Sequence, residues 1–259
     1  MRHATAPFSQ FYQAKERAMK DSIKEALASG AIQHVAFIMD GNGRWATRQG
    51  KKRNEGHKKG AQVFEEVAEY CHDIGVHHVT VYAFSTENWR RPESEVSALM
   101  RLLSSYLDTA IKRFAEKKVR VVFLGDKSVF SKKLIAKMEK LEAITQEHTD
   151  VLNIAFNYGG RDEIVYACKK ALADGEEISE ESISKHLYTA ASPDPDLIVR
   201  TAGEMRLSNF LLWQAAYAEF YYTETLWPDM NADEVDKACE AFLLRKRNFG
   251  ALPTEAKLN

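Results

Sequence analysis

Five short runs of β-branched and aromatic residues, separated by longer segments with helical spacing, are what most restrict the folds open to this chain. The runs are Val35–Met39, Val79–Phe84, Val119–Leu124, Val151–Phe156 and Leu197–Arg200. They read as near-continuous apolar stretches, which suits strands buried on both faces. Helical spacing predicts helices near 57–74, 93–117, 131–147, 161–174, 179–190, 207–218 and 233–246. Strands alternating with helices predict an α/β fold with a mainly parallel central sheet flanked by helices. No repeat, low-complexity segment or Pro/Gly linker divides the 259 residues, so a single domain is expected. It spans 31–259, preceded by an N-terminal helical extension over 1–30 whose Phe8, Phe11, Tyr12, Met19, Ile23 and Leu27 recur at roughly helical spacing. Packing of that extension on the body is the favoured reading, with a peripheral amphipathic helix as the alternative.

Charge and cysteine usage exclude several classes of function. The formal net charge is -1, so nothing draws the whole chain toward nucleic acid or an anionic membrane, and anion recognition must come from local basic clusters. Cys71, Cys168 and Cys239 lie far apart without CxxC spacing, which speaks for a reducing compartment and against a zinc knuckle. Cys71, His72, His77 and His78 match no standard metal spacing and are read as structural. No apolar run approaches the roughly 18 residues that span a bilayer, and no secretory signal opens the chain. A cytoplasmic protein is expected, with peripheral contact at the inner face of the membrane left open.

Polar clusters follow the predicted strands, and in open α/β sheets ligands bind beyond the carboxyl ends of the strands. Asp40-Gly41-Asn42-Gly43-Arg44-Trp45 follows the first. Its glycines let backbone N–H groups approach a phosphate, and Arg44 offers a planar fork to phosphate oxygens. Asp40 beside a diphosphate would be repulsive without a cation between them, which points to Mg²⁺. A plain strand-to-helix turn is the bland alternative. Gly41, Gly43 and Ala46 also match the relaxed dinucleotide fingerprint, yet the acidic residue that motif needs about 20 positions on would fall inside a helix. Arg53 and His57, near a helix start, could hold the far side of the same diphosphate. Arg200 closes an apolar strand, so it is expected to be partly buried with an anionic partner. With Arg206 and Ser208, expected at the start of the 207–218 helix, it makes a second anion site, and two such sites suggest a two-substrate reaction. Glu219 and Glu95 are weaker candidates; Glu219 is a possible second metal ligand.

Together these strings resemble the cis-prenyltransferase family of undecaprenyl diphosphate synthases. The likeness covers residues from about 34 to 250, in order: His34–Ala46, Gly56-His57, Tyr82–Trp89 with Arg91-Pro92, Asn157–Arg161, Arg200–Phe210, then Trp213-Gln214, Tyr217, Glu219 and Trp227-Pro228. The resemblance implies Mg²⁺-dependent elongation of an allylic diphosphate, farnesyl diphosphate being the family's usual primer, by isopentenyl diphosphate. The product would be a polyprenyl diphosphate such as undecaprenyl diphosphate, a lipid carrier for cell-wall synthesis that is delivered to the membrane. It implies Asp40 as the catalytic, Mg²⁺-binding carboxylate, with Glu219 near the metal. Gly41, Asn42, Gly43, Arg44, Trp45, Arg53 and His57 fall on the allylic diphosphate site. Ser85, Asn88, Trp89, Arg91 and Glu95 fall on the family's mobile active-site segment, where Ser85, Thr86, Glu87, Trp89 and Arg91 are also implied as allylic diphosphate contacts. Arg200, Arg206 and Ser208 fall on the isopentenyl diphosphate site. Asn88 is carried over as a second catalytic residue, its region or a substrate phosphate oxygen being candidates for the proton acceptor. A homodimer and a hydrophobic tunnel, its width set near Ala83, are further implications. Met205 and Ala202 depart from the common pattern without removing a charge.

Overall fold

The computed structural model describes residues 21–114 and 117–245. Six strands form one sheet in the order β3-β4-β2-β1-β5-β6, and every neighbouring pair is parallel. They are β1 (His34–Ile38), β2 (His78–Ser85), β3 (Val119–Leu124), β4 (Asp150–Tyr158), β5 (Leu197–Arg200) and β6 (Glu219–Tyr222). The five predicted strands are present within two residues at each end. β6 was not anticipated, because Glu219-Phe220-Tyr221-Tyr222 is short, opens on a charge and lies at the sheet edge, where no residue is fully buried.

The helices are α1 (21–28 among the described residues), α2 (Asn42–Arg48), α3 (Arg53–Asp73), α4 (Glu93–Phe114), α5 (Lys132–Thr145), α6 (Gly160–Ala173), α7 (Glu180–His186) and α8 (Ala232–Leu243). Side chains alternate across each strand, so the two faces of the sheet build different cores. Val35, Phe37, Val79, Val81, Phe123 and Ile154 point to the layer of α3, α4, α5 and α8. Ala36, Ile38, Tyr82, Leu124 and Ala155 point the other way, onto Phe210, Leu211 and Ala215. Most of the expected N-terminal extension lies outside the described residues. Its described end packs on the body through Ile23 and Leu27, both buried.

Thr145, on the last turn of α5, shows how the layers are locked: its hydroxyl accepts from Val121 N at 3.0 Å and donates to Leu141 O at 2.8 Å. A buried polar cluster performs the same task at the amino ends of the strands. Thr80 Oγ1 lies 2.7 Å from His34 Nε2 and accepts from Asn153 Nδ2 at 3.0 Å. His34 Nδ1 lies 2.6 Å from the Pro193 carbonyl, so that nitrogen carries the proton and Nε2 is left to accept. Burial, reinforced by neighbouring His78 and opposed by the Pro193 bond and Asp196, lowers the His34 pKa from 6.5 to about 4.

The unfolded chain therefore binds a proton at His34 that the folded chain refuses between pH 6.5 and 4. Stability contributed by this site is full above pH 6.5 and is lost as the pH falls, by about 3 kcal/mol in total. Urea unfolding of wild type and His34→Gln at pH 7 and pH 4.5 should give a smaller pH difference in the variant. Equal differences would show that His34 does not carry the dependence.

Candidate active site

The polar clusters do converge beyond the carboxyl ends of the strands. Asp40 lies two residues past β1, and its backbone is fixed by Thr201, which follows β5. Asp40 N donates to Thr201 Oγ1 at 2.9 Å, and that hydroxyl donates to Asp40 O at 2.7 Å. Gly41 adopts φ 100°, a left-handed conformation natural to glycine, and the turn leads straight into α2. Asp40 Oδ1 accepts from Gly41 N at 2.6 Å and from Arg44 Nη2 at 3.3 Å, while Oδ2 accepts from Arg200 Nη2 at 3.1 Å. The Arg200 side chain is 3% exposed and that of Asp40 32%, so the guanidinium is the buried partner and the carboxylate faces the cleft.

Arg200 Nη1 donates to Ser208 Oγ at 2.9 Å and to the carbonyl of Arg206. Glu204 links Arg206, its ion-pair partner, to Arg44, 3.4 Å away. On the opposite wall Glu95 gathers a second set of cations. Its carboxylate accepts from Arg53 Nε at 3.2 Å and Arg91 Nη1 at 3.1 Å, with His57 Nε2 3.4 Å away. Burial alone would raise the Glu95 pKa, but the Arg53 bond and the surrounding positive charge hold it below its usual value. Burial and the Arg91 charge outweigh Glu95 at His57 and lower its pKa, which leaves a neutral ring at pH 7. The Arg53 guanidinium lies against Gly43, where a β-carbon would approach it to 2.5 Å.

Between the two walls is a cleft of about 580 Å³ lined by Asp40, Asn42, His57, Arg91, Arg200 and Arg206, among others. Its inner end reaches Met39, Ala83 and Leu99, which also line an apolar cavity of about 110 Å³ between the sheet, α3 and α4. The segment after β2 closes the rim. Asn88 Oδ1 accepts from Ser85 N at 3.1 Å, and Trp89 Nε1 donates to Asn157 Oδ1 at 2.7 Å. The Trp89 ring meets Phe84 edge-on at 5.2 Å. Two anion-ready walls, one carboxylate between them and an apolar chamber behind suit a pair of diphosphates with a hydrocarbon tail.

Comparison with known proteins points to the same chemistry. The prenyltransferase family model described as "Putative undecaprenyl diphosphate synthase" matches residues 38–250. The chain belongs to this family. An isoprenyl transferase of Fusobacterium nucleatum is 50% identical over 222 residues, covering 85% of this chain and 96% of its own. One from Neisseria meningitidis serogroup B is 45% identical over 248 residues, covering 93% of this chain and 100% of its own. Among solved structures, lavandulyl diphosphate synthase from Lavandula x intermedia, in complex with dimethylallyl diphosphate, superposes with a TM-score of 0.80. It is 32% identical and covers 85% of this chain and 98% of its own. A probable undecaprenyl diphosphate synthase from Campylobacter jejuni gives 0.73 at 34% identity, with the same coverage. The chain is thus a prenyltransferase, and its family performs cis-prenyl chain elongation.

Two expectations change with the prenyltransferase structure in hand. Residues 207–218 do not form a helix. Ser208, Asn209 and Leu211 all have positive φ, at 50°, 65° and 43°, and only Gln214–Tyr217 makes a short 3-10 turn. Left-handed residues break the i to i−4 ladder, so Arg206 and Ser208 sit on a folded loop rather than a helix start. The loop is anchored instead by Gln214, which donates to Glu163 Oε2 at 3.0 Å and Thr189 Oγ1 at 2.8 Å. Second, Glu219 is not brought to Asp40 within the chain. It opens β6 in register with Leu197, which pairs with Val35, whereas Asp40 lies five residues further along β1. At the rise of a strand this is roughly 16 Å along the sheet, and Glu219 pairs there with Arg245. Asn209 and Glu204 were missed as site residues. A polar residue able to adopt left-handed φ, set within an apolar run, was the available signal for Asn209.

Arg200→Ala should lower the unfolding free energy by about 3 kcal/mol, because it strips partners from the Asp40 carboxylate, the Ser208 hydroxyl and a carbonyl together. Arg200→Lys should recover little, since an ammonium cannot reproduce the planar fork. Urea denaturation at pH 7 measures both, and a full-strength lysine variant would refute the reading.

Proposed function

We propose that this prenyltransferase extends farnesyl diphosphate by successive additions of isopentenyl diphosphate, giving a long-chain polyprenyl diphosphate of the undecaprenyl type. Delivered to the membrane, such a product would serve as a lipid carrier for cell-wall synthesis. The observation that carries this reading is Asp40, held by Arg200 at the junction of two arginine-lined walls, in a cleft that continues into an apolar cavity. The allylic diphosphate is assigned to Gly41, Asn42, Gly43, Arg44 and Trp45, with Arg53 and His57, and to the rim residues Ser85, Thr86, Glu87, Trp89 and Arg91. Isopentenyl diphosphate is assigned to Arg200, Arg206 and Ser208.

Mg²⁺ fits this donor set. Among the described residues no cluster of three or more His, Cys, Asp or Glu side chains forms a cage, and Mg²⁺ is commonly held by one or two carboxylates together with substrate phosphates and water. Asp40 offers a cleft carboxylate at the junction of the two walls for this. When bound, the ion would neutralise charge on the departing diphosphate. Glu219 can join it only from another copy of the chain, and a homodimer formed along the half-buried β6 edge is part of the proposal.

In this reading the allylic C–O bond breaks as the diphosphate leaves, with Arg44, Arg53 and Arg91 placed to meet the developing charge. The isopentenyl double bond attacks the allylic carbon, and a proton passes from the isopentenyl unit to a diphosphate oxygen, which sets the new double bond. Arg200, Arg206 and Ser208 hold that unit in register with the first. Asn88, whose amide oxygen is engaged by Ser85 N, acts by holding the rim segment over the reacting carbons. No described helix is long and apolar enough to cross a membrane, so product delivery is assigned to peripheral contact.

The growing chain is assigned to the apolar cavity, which ends where Phe64 and Tyr106 meet at a ring separation of 5.8 Å. The same two rings line a second cavity of about 190 Å³ beyond. Incorporation of labelled isopentenyl diphosphate into butanol-extractable lipid, with farnesyl diphosphate and Mg²⁺, tests the whole reading. Asp40→Ala should reduce it at least about a hundredfold, and a folded wild type that incorporates none would overturn the assignment. Tyr106→Ala should join the two cavities and shift the product distribution toward longer chains, while Tyr106→Phe leaves it unchanged. Identical products from wild type and Tyr106→Ala would remove these rings as the end of the tunnel.

A further inference from the structure

We propose that Asn209 is a positioning residue that couples the two diphosphate subsites, so that a ligand in one raises affinity in the other. The inference rests on the two-subsite reading above and adds a linkage between its halves.

Asn209 is fixed at a left-handed φ of 65° in the loop that carries Arg206 and Ser208. Three bonds use its polar groups in three directions. Its side-chain Nδ2 donates to Glu87 Oε1 at 2.9 Å, its Oδ1 accepts from Arg161 N at 2.9 Å, and its own carbonyl accepts from Gly160 N at 2.7 Å. Gly159 lies so close beneath that a β-carbon there would stand 2.7 Å from Asn209 Nδ2 and 2.8 Å from Thr86 Oγ1. The amide is therefore wedged between the rim segment after β2 and the start of α6.

On one side, the neighbouring Ser208 accepts from Arg200 Nη1 through its hydroxyl and from the Tyr82 hydroxyl through its carbonyl, at 2.9 and 3.3 Å. On the other side, Glu87 belongs to the 3-10 turn Thr86–Arg90, immediately followed by Arg91, which binds Glu95 together with Arg53. A continuous path of bonds thus runs from Arg200 through Ser208, Asn209 and Glu87 to the allylic wall. Burial alone would raise the Glu87 pKa, but the Asn209 bond and neighbouring hydroxyls hold it low, so an ionised carboxylate accepts from the amide at neutral pH. Glu87 is exposed at the cleft rim.

The physical consequence is shared ordering. A diphosphate on Arg200, Arg206 and Ser208 restrains the loop, and through Asn209 it restrains the rim segment that borders the allylic wall. The second ligand then meets a segment already in place and loses less conformational entropy on binding. Coupling of this kind is reciprocal.

Calorimetric titration of the full chain with Mg²⁺ tests it, using isopentenyl diphosphate and farnesyl thiodiphosphate, whose C–S bond resists ionisation. Wild type should bind the thiodiphosphate about five- to tenfold more tightly when isopentenyl diphosphate is present, the lower end of usual coupling. Asn209→Asp places a carboxylate against Glu87 and should bring this ratio to near one. Glu87→Gln keeps an acceptor for Asn209 and should retain the ratio. In the Asn209→Asp/Glu87→Gln pair, the new amide can donate to the new carboxylate and should restore it, which a merely structural role for Asn209 would not do. Glu87→Ala removes the acceptor at the cleft rim, where any weakening of thiodiphosphate binding falls alike with and without isopentenyl diphosphate; it should still lose the ratio, and it serves if Asn209→Asp does not fold. Wild-type coupling in Asn209→Asp or Glu87→Ala, or an uncoupled wild type that binds both ligands, overturns the proposal alone. A wild type that binds neither overturns the two-subsite reading as well.

Discussion

The ion pair between Arg200 and Asp40 is the contact on which the rest of the site depends. A guanidinium that is 3% exposed cannot be left without anions and acceptors, because an unpaired buried charge costs several kcal/mol. Arg200 meets that demand with Asp40, the Ser208 hydroxyl and the Arg206 carbonyl, and so draws the segment after β1 and the 206–208 loop to one point. The parallel pairing of β1 with β5 makes this possible, since Ile38 and Arg200 are direct neighbours in register. The fold brings the two residues within reach, and the pair then fixes the loops that hold the remaining functional groups.

Sheet order explains why both walls face a common space. β1 lies at the centre between β2 and β5, so the segments after these three strands emerge side by side. The segment after β1 contributes Asp40 and Arg44, that after β2 contributes Ser85 to Arg91, and that after β5 contributes Arg200 to Ser208. Helices α3 and α4 cover one face and leave the apolar cavity against Ala83 and Phe156. A polar cleft and an apolar chamber therefore meet along β2, where Ala83 borders both.

Much of this could be read from the sequence, and the exceptions have physical causes. β3 and β5 match their predicted runs residue for residue, because β-branched and other apolar residues dominate both, VRVVFL and LIVR, within an α/β pattern. Arg200 stands out because a charge closing an apolar strand needs an anionic partner. Asp40 does so because a carboxylate in a glycine-rich phosphate loop needs a cation, and Arg206 because of the expected helix start beside it. The 207–218 segment misled because Phe210, Leu211, Trp213 and Ala215 have helical spacing, yet the backbone turns left-handed three times among them. Periodicity reports which residues are buried, and Phe210 and Leu211 are indeed fully buried, but on a loop. Glu219 stands away from Asp40 within one chain, because motif order along the sequence says nothing about which end of a parallel strand a residue occupies. Asn209 escaped because its importance lies in partners from β2's rim and α6, which no local pattern reveals.

The charges of the cleft also explain how a protein with a net charge of -1 can hold two polyanions. Each arginine around the cleft is paired with a carboxylate of the chain itself: Arg44 and Arg206 with Glu204, Arg53 and Arg91 with Glu95, and Arg200 with Asp40. Arginines so restrained keep their forks oriented and close together without the repulsion that bare clustering would bring. Under the proposed assignment, a diphosphate entering the cleft would exchange partners with Glu204 and Glu95, its oxygens replacing their carboxylates on the arginines. Asp40 differs from them because its carboxylate stays at the junction between the two walls, where a divalent cation can convert its repulsion for phosphate into attraction.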